Sequence, residues 1–218
     1  MSVSGSDWAR LFRIACSLIR QVNSEHAIID SWALGGGTAM MLQINHRRSD
    51  DIDIFLPDAQ LLPYLDPKPR DFDLEVTPSD YQGDGSRFLK LAFEGLGEID
   101  FIVSPAVTSM PTTQRTIEGE DVALETIAEI ITKKVHFRGA SIKARDIFDI
   151  AAAARSHREQ IVRTPGDYKA DVAATLVAVD RLNPDFVRAT IAALAIEDSY
   201  RQTAATALED AIELLRSI

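Results

Sequence analysis

The sequence is poor in residues that form disulfides, thiolate metal centres and membrane spans. Its 218 residues include one cysteine, Cys16, which excludes an internal disulfide and any zinc site built from several cysteines. No run of about 18 apolar residues occurs, so no membrane-spanning helix is expected. The stretch from Met1 to Arg10 lacks the basic and then apolar pattern of a secretory signal. We therefore expect a cytoplasmic protein with no membrane partner.

Basic residues are also in deficit. The chain has 23 Lys and Arg against 33 Asp and Glu, and its formal net charge of −10 argues against broad nucleic-acid binding. One segment departs from this balance, with five Lys and Arg and no acidic residue: Lys133, Lys134, Arg138, Lys143 and Arg145. Such a segment forms either a solvated helix face or a patch that faces phosphate, depending on where its side chains point.

The hydrophobic pattern divides the chain into two halves. Before residue 125, short alternating runs bounded by glycines predict strands, including Asp51–Leu56, Phe72–Val76, Phe88–Phe93 and Glu98–Val103. After residue 125, apolar residues recur at helical spacing. We expect an α/β fold with a mixed sheet in residues 1–124 and a helical domain in residues 125–218. The helical domain is expected to complete the cleft that holds the functional site.

A glycine triplet, Gly35–Gly37, follows a short apolar strand and precedes a helix opened by Thr38. Backbone N–H groups at such a turn can bind phosphate oxygens, although a glycine triplet can also be a simple flexible turn. Ser49 could add a hydroxyl contact to a triphosphate bound at this turn, and Arg47 or Arg48 could reach one of its phosphates.

Asp51 and Asp53 alternate with isoleucines in the next predicted strand. Side chains alternate with period two along a strand, so both carboxylates point to one face, about 7 Å apart, and favour a cation between them. The alternative is a solvated face at a sheet edge. Asp50 falls on the opposite face and is given no catalytic role.

A third carboxylate is expected from the segment Gly97–Val103, which offers Glu98 and Asp100 on its polar face. We favour Asp100 because it lies deeper in the strand. It could accept a proton from an attacking hydroxyl or act as a further metal ligand.

The helix predicted over residues 126–138 carries cations on its apolar stripe. Lys134 and Arg138 fall within the stripe of Ile127, Ile130, Ile131 and Val135, whereas Lys133 falls on the polar side. We therefore expect Lys134 and Arg138 to face inward, toward the carboxylate site at Asp51 and Asp53 or its bound triphosphate, and Lys133 to be solvated. The alternative is that both inward cations extend to solvent at the helix end.

The next predicted helix opens with Arg145-Asp146-Ile147-Phe148-Asp149. Arg145 and Asp149 are spaced as an i,i+4 pair, and acidic residues at a helix start also interact favourably with the helix dipole. Ion pairing and the helix dipole are therefore structural alternatives to a functional role for Asp146 or Asp149.

These motifs together resemble the AbiEii/AbiGii toxin family of nucleotidyltransferases and the related tRNA-modifying MenT toxins, within the polymerase-β-like superfamily. The resemblance covers about residues 30–155. It rests on Gly36-Gly37-Thr38-Ala39, on His46-Arg47-x-Ser49-x-Asp51-Ile52-Asp53, on Lys134 and on Arg145-Asp146-x-x-Asp149.

The resemblance implies a nucleotidyltransferase fold, use of a nucleoside triphosphate with Mg²⁺ (or Mn²⁺), and a toxin opposed by a separately encoded antitoxin. Some members of the family add nucleotides to the 3′ end of tRNA. Carried over by motif, Asp51 and Asp53 would hold metal, with Asp100 as a third carboxylate. Asp146 or Asp149 would be the functional acid of the later Arg-Asp-x-x-Asp motif. The expected nucleotide-binding residues are Gly36, Gly37, Thr38, Arg47, Ser49, Lys134 and Arg138.

We therefore expect a nucleotidyltransferase that acts on RNA, with tRNA favoured. The same apparatus could modify a protein or a small molecule, an alternative that the acidic net charge leaves open. A third possibility is a nucleotide-binding module without catalysis, against which the complete Gly-Gly, Asp-x-Asp and Asp100 set argues.

Overall fold

The computed structural model describes residues 7–163 and 168–218. The start of the chain, including most of the stretch inspected for a signal, and the predicted helix start at Asp167 lie outside these residues. Contacts between Cα atoms divide the chain into two compact units. The sheet unit comprises residues 1–39, 49–105 and 112–125, and the helical unit comprises residues 40–48, 106–111 and 126–218.

The sheet unit contains a seven-stranded mixed sheet in the order β3-β4-β5-β2-β1-β7-β6. β2 runs parallel to β5 and β1 runs parallel to β7, whereas the other neighbouring strands are antiparallel. The strands are β1 (Ala33–Gly35), β2 (Ile52–Leu56), β3 (Asp80–Gly83), β4 (Phe88–Phe93), β5 (Gly97–Val103), β6 (Thr112–Ile117) and β7 (Glu120–Glu125).

One face of this sheet is covered by α1 (Trp8–His26), whose apolar stripe explains its position. Its buried residues recur at helical spacing, and the helix packs on β2 and β5. In β2, Ile52, Ile54 and Leu56 are buried while the residues between them are partly exposed, as period two requires. The polar residues of β2 therefore share the opposite face of the sheet.

The helical unit is built around α5 (Ala144–Val162), which packs on α4 (Ile127–Arg138), α7 (Pro184–Ala192) and α9 (Ala207–Arg216). Thr126 caps α4 by accepting a hydrogen bond from the Glu129 N–H at 3.2 Å. The remaining helices are α6 (Lys169–Asp180) and α8 (Arg201–Ala205) in this unit, α3 (Leu62–Leu65) in the sheet unit, and α2 (Gly36–Ile44), which begins in the sheet unit.

The expected α/β class with a mixed sheet and a helical C-terminal half is confirmed, but several elements differ. The strand predicted at Phe72–Val76 is wrong, because both backbone polar groups of Asp73 bond to the Gln21 side chain, at 2.8 and 2.9 Å. β3 and β7 were not predicted. The contact division also groups residues 40–48 and 106–111 with the helices, whereas the sequence placed them before residue 125 in the first domain. Among the described residues, no helix is long and apolar enough to cross a membrane.

Candidate active site

Two aspartates stand side by side on the polar face of the sheet. Asp53 on β2 is in register with Asp100 on the parallel strand β5. On the other side of β2, Asp53 is in register with Gly35 of β1. We call Asp53 and Asp100 the carboxylate row.

Asp100 has an environment typical of a functional carboxylate. Its Oδ1 atom is buried and has no hydrogen-bond partner within the described part of the chain. Its Oδ2 atom lies 3.4 Å from the Nζ atom of Lys90. Burial, followed by the negative charge of Asp53, raises the pKa of Asp100 to about 6, although Lys90 acts in the opposite direction.

Asp51 comes directly before β2 and is held by two backbone contacts. Its Oδ1 atom accepts a hydrogen bond from the Glu98 N–H at 3.2 Å. Its backbone carbonyl accepts a hydrogen bond from the Thr38 hydroxyl at 2.5 Å. The helix that follows the glycine turn is therefore tied to the segment that carries Asp51.

The glycine turn reaches the carboxylate row at Gly36, the first residue of α2. Gly36 has φ +65°, and a Cβ atom at this position would lie 1.8 Å from the Oδ2 atom of Asp53. Only glycine fits both this backbone conformation and this close approach. The turn and the carboxylate row thus form one site within the sheet unit.

The donor set of this site suits Mg²⁺. Mg²⁺ prefers carboxylate oxygens and is usually bound by one or two carboxylates together with substrate phosphates. The buried Oδ1 of Asp100, adjacent to Asp53, is an oxygen of this kind. No group of three His, Cys, Asp or Glu side chains in the described residues is close enough to form a complete metal centre by itself.

A second cluster of charged residues lies within the helical unit. Asp149 on α5 is fully buried and faces three partners. His46 Nε2 lies 2.9 Å from its Oδ1, Arg47 contacts both oxygens at 2.7 and 3.0 Å, and Lys134 Nζ lies 3.0 Å from its Oδ2. Lys134 also donates to Asp146 Oδ1 at 2.7 Å. We call His46, Arg47, Lys134, Asp146 and Asp149 the buried charge network.

Both acids of this network are ionised at neutral pH. Burial alone would raise the pKa of Asp149, but Lys134 and Arg47 hold it well below its usual value. Burial likewise opposes ionisation of Asp146, and the charge of Lys134 and its hydrogen bond lower that pKa. Two carboxylates and two fixed cations therefore compensate one another inside the unit.

The sequence profile described as nucleotidyl transferase AbiEii toxin, type IV toxin–antitoxin system, matches residues 17–215. The chain belongs to this AbiEii family. Membership confirms the resemblance inferred from the motifs and identifies the protein as an NTP-dependent nucleotidyltransferase with a toxin role. A type IV toxin also has a separately encoded antitoxin.

Three solved structures are similar to this AbiEii chain. JHP933 from Helicobacter pylori is 20% identical, with 95% of this chain and 91% of that chain covered and a TM-score of 0.49. The nucleotidyltransferase toxin MenT4 (Rv2826c) from Mycobacterium tuberculosis H37Rv is 15% identical, with 96% of each chain covered and a TM-score of 0.46. ANT(2″)-Ia, in complex with adenylyl-2″-tobramycin, is 16% identical, with 74% of this chain and 97% of that chain covered and a TM-score of 0.47. No curated protein sequence matches the chain significantly.

Several residues predicted for the AbiEii site lie together in the sheet unit. Gly36 lies against Asp53, as is required if one triphosphate contacts both the glycine turn and the carboxylates. Gly35, which the motif comparison treats as incidental, is required by packing, because a Cβ there would lie 2.4 Å from the Phe55 ring. Gly37 is the second residue of α2, and Ser49 precedes β2; their nucleotide contacts stay predictions.

Two predicted nucleotide ligands have other partners in the structure. Thr38 is fully buried, and its hydroxyl holds the Asp51 carbonyl. The Arg47 guanidinium is 4% exposed and bidentate on Asp149, and its Nη1 donates to the Arg48 carbonyl at 3.1 Å. The hydroxyl proton of Thr38 and three of the five N–H donors of Arg47 are therefore already used in structural contacts.

The orientation predicted for α4 is correct at one of three positions. Lys134 points inward, and its partners are Asp146 and Asp149. Lys133 is 7% exposed, so its expected solvation is wrong: it lies 3.5 Å from the buried carboxylate of Glu129. Arg138 is half exposed at 49%, with Nη1 3.6 Å from Asp146, because the helix ends there and its long side chain extends to solvent.

The contacts of three residues in these clusters were not predicted from the sequence. Lys90 gave a signal in the alternation of β4, where it shares a face with Phe88 and Ala92. His46 was part of the motif, but its pairing with Asp149 was not predicted, and Glu129 gave no signal, because each pairing depends on a contact with a distant segment. Glu129 accepts hydrogen bonds from the Val107 and Thr108 N–H groups, both at 2.9 Å. Asp149 was expected to pair with Arg145, but its partners are His46, Arg47 and Lys134.

Proposed function

We propose that this protein transfers a nucleotidyl group from a nucleoside triphosphate to a hydroxyl of RNA, specifically the 3′ end of tRNA, with Mg²⁺ bound at the carboxylate row. The observation that carries the proposal is the Asp53–Asp100 pair directly beside the Gly36 turn. Family membership supports nucleotidyl transfer and the toxin role. The tRNA acceptor extends the MenT-like resemblance of the motifs. Since both substrates occur in the cytoplasm, we place the reaction there.

Asp51 and Asp53 are the proposed metal ligands, together with phosphate oxygens of the substrate, and Asp100 would act either as a further ligand or as the proton acceptor. When bound, Mg²⁺ neutralises charge on the triphosphate and on the attacking oxygen. The buried Oδ1 of Asp100 and its neighbour Asp53 fit such an ion, and Gly36 lies directly against Asp53, so the glycine turn would be adjacent to the ion.

The chemical step requires an acceptor for one proton. The attacking hydroxyl forms a bond to the α-phosphorus while the bond to pyrophosphate breaks, and the hydroxyl proton must leave. Asp100 is the proposed acceptor, because its buried Oδ1 atom stands beside Asp53 and has no hydrogen-bond partner within the described residues. Pyrophosphate leaves with the electrons of the broken bond.

The glycine turn would bind the triphosphate through backbone N–H groups at the start of α2. This helix has nine residues, and its N-terminus carries unsatisfied N–H groups and a positive partial charge. Gly36 and Gly37 are the first two residues, and Ser49 would add a hydroxyl. We propose the roles that the resemblance implies for Lys134, Asp146 and Asp149. All three are buried, which also supports a role in stabilising the helical unit.

The acceptor is the least constrained part of the proposal. Lys133 and Lys134 are buried and paired with carboxylates, whereas Arg138, although it also lies 3.6 Å from Asp146, and Lys143 are exposed and can be reached by a polyanion. The net charge of −10 leaves a protein or small-molecule acceptor as the alternative. One assay separates these acceptors.

The experiment combines purified protein and Mg²⁺ with each α-labelled nucleoside triphosphate in turn. The acceptors are total tRNA, tRNA with a periodate-oxidised 3′ end, cell protein and an aminoglycoside. We expect label in intact tRNA and none in oxidised tRNA, because oxidation destroys the 3′ hydroxyl. Label in protein or aminoglycoside alone would contradict the RNA acceptor. The absence of transfer to every acceptor would contradict the proposed function.

A further inference from the structure

Lys90 is fixed beside the carboxylate row by strand pairing. In the antiparallel pair of β4 and β5, Lys90 lies directly opposite Asp100, and directly opposed residues share a face of the sheet. Leu89 and Leu91 are buried on the other face, so a one-residue slip that removed Lys90 would expose both leucines. Lys90, Asp100 and Asp53 therefore form one line across three neighbouring strands.

The ammonium group of Lys90 neutralises acidic side chains on this line. Its Nζ atom lies 3.4 Å from Asp100 Oδ2 and is hydrogen-bonded to Glu98. Its side chain is 31% exposed, so the charge is partly shielded from water. Like an ordinary lysine, it is cationic at physiological pH, and its two carboxylate neighbours favour the charged form.

A cation fixed at one oxygen of Asp100 opposes a second cation at the other. Like charges a few Å apart repel strongly in a partly buried site, where the effective dielectric constant is well below that of water. A nucleoside triphosphate offsets this repulsion, since it brings several negative charges and phosphate oxygens that serve as ligands.

We propose that Lys90 competes with the divalent metal for the carboxylate row, so that metal binds tightly only together with a nucleoside triphosphate. This inference rests on the proposed function, because it takes the row to be the metal site. Lys90 is a positioning residue here: it acts through Asp100 and sets the order in which the substrates bind. An enzyme of this kind takes up its metal as the metal–nucleotide complex and holds little metal when nucleotide is scarce.

The test measures binding of Mn²⁺, by its paramagnetic resonance signal, to wild-type protein and to Lys90→Met, which keeps the length of the side chain but not its charge. Each protein is titrated alone and with α,β-methylene triphosphate analogues of the four nucleosides. Lys68→Met is the matched control: it makes the same charge change at an exposed lysine that contacts the Tyr81 ring. Lys90→Arg keeps the charge.

For the wild type, Lys68→Met and Lys90→Arg, we expect weak binding of Mn²⁺ alone and much tighter binding with an analogue. For Lys90→Met, Mn²⁺ alone should bind at least about tenfold tighter than to the wild type, because a repelling unit charge has been removed. Its melting temperature without metal should fall, since Glu98 and Asp100 lose their counter-ion, and Mn²⁺ alone should restore it.

An unchanged or weaker affinity of Lys90→Met for Mn²⁺ alone would overturn the inference and leave the proposed function standing. If wild-type protein bound no Mn²⁺ even with the analogues, both the inference and the metal site of the proposed function would be wrong. Lys90→Gln, which also removes the charge, replaces Lys90→Met if that variant does not fold.

Discussion

Replacement of Gly36 by alanine tests the link between the glycine turn and the carboxylate row. The new Cβ atom would lie 1.8 Å from Asp53 Oδ2, about 1.6 Å short of the 3.4 Å at which ordinary contact begins. Asp53 or the turn must therefore shift by more than 1 Å. A displacement of about 1 Å in a catalytic group can cost about 100-fold in rate. We expect kcat for nucleotidyl transfer to fall by about 100-fold or more.

The same substitution also strains the backbone, and a matched control separates the two effects. A residue with a side chain at φ +65° costs about 1–2 kcal/mol. Gly95→Ala carries the same strain at φ +74°, but its Cβ would meet nothing within 4 Å. Since 1 kcal/mol corresponds to about 2–4 °C for a chain of this size, both variants should lose several degrees in melting temperature.

The assay measures release of labelled pyrophosphate at saturating triphosphate, beside thermal unfolding of each variant. Gly95→Ala should retain most of the wild-type kcat, and Gly36→Ala should not. Near-normal turnover of Gly36→Ala, or an equal loss in both variants, would show that the contact between Gly36 and Asp53 does not position the catalytic carboxylate.

Two further predictions concern stability. Lys134→Met should lower the free energy of unfolding by about 3–5 kcal/mol, because it leaves buried Asp146 and Asp149 undercompensated. Lys133→Met should cost less than half as much, since Glu129 keeps its other hydrogen bonds; equal losses in urea unfolding would refute this. Asp100 has a pKa of about 6 in the folded state, above its ordinary value of 3.8, so the folded protein binds a proton at this carboxyl more tightly than the unfolded chain does. Ionisation of Asp100 therefore lowers the free energy of unfolding as the pH rises from about 4 to 7. Asp100→Asn should therefore raise the melting temperature at pH 8 in metal-free buffer but not at pH 4; parallel profiles for the two proteins would contradict it.

For residues that alternate along a strand, the sequence alone predicted which face of the sheet each side chain occupies. Ile52 and Ile54 alternate with Asp51 and Asp53, and this pattern alone predicts a strand with a polar face. The proximity of Gly36 to Asp53 followed from the short distance in sequence between the turn and the strand. The apolar stripe of α4 correctly predicted that Lys134 points inward.

Contacts between segments far apart in sequence could not be predicted in the same way. The pairing of β4 with β5 decides that Lys90 faces Asp100, and no local pattern specifies that register. Lys133 is buried because Glu129, one turn earlier, holds the loop at Val107 and Thr108, a contact that a helical wheel does not contain.

The central claim is that the carboxylate row carries metal-dependent nucleotidyl transfer to RNA, and Asp53→Asn tests it most directly. The variant removes one charge and keeps the shape of the side chain, and Asp50→Asn makes the same change three residues earlier, at a position given no catalytic role. The measurement is transfer of α-labelled nucleotide to tRNA with Mg²⁺, after thermal unfolding has verified that both variants fold. We predict that Asp53→Asn loses at least about 1000-fold in kcat, as expected when a transition-state electrostatic interaction is removed, while Asp50→Asn stays within a few-fold of wild type. Near-normal transfer by folded Asp53→Asn would contradict the account.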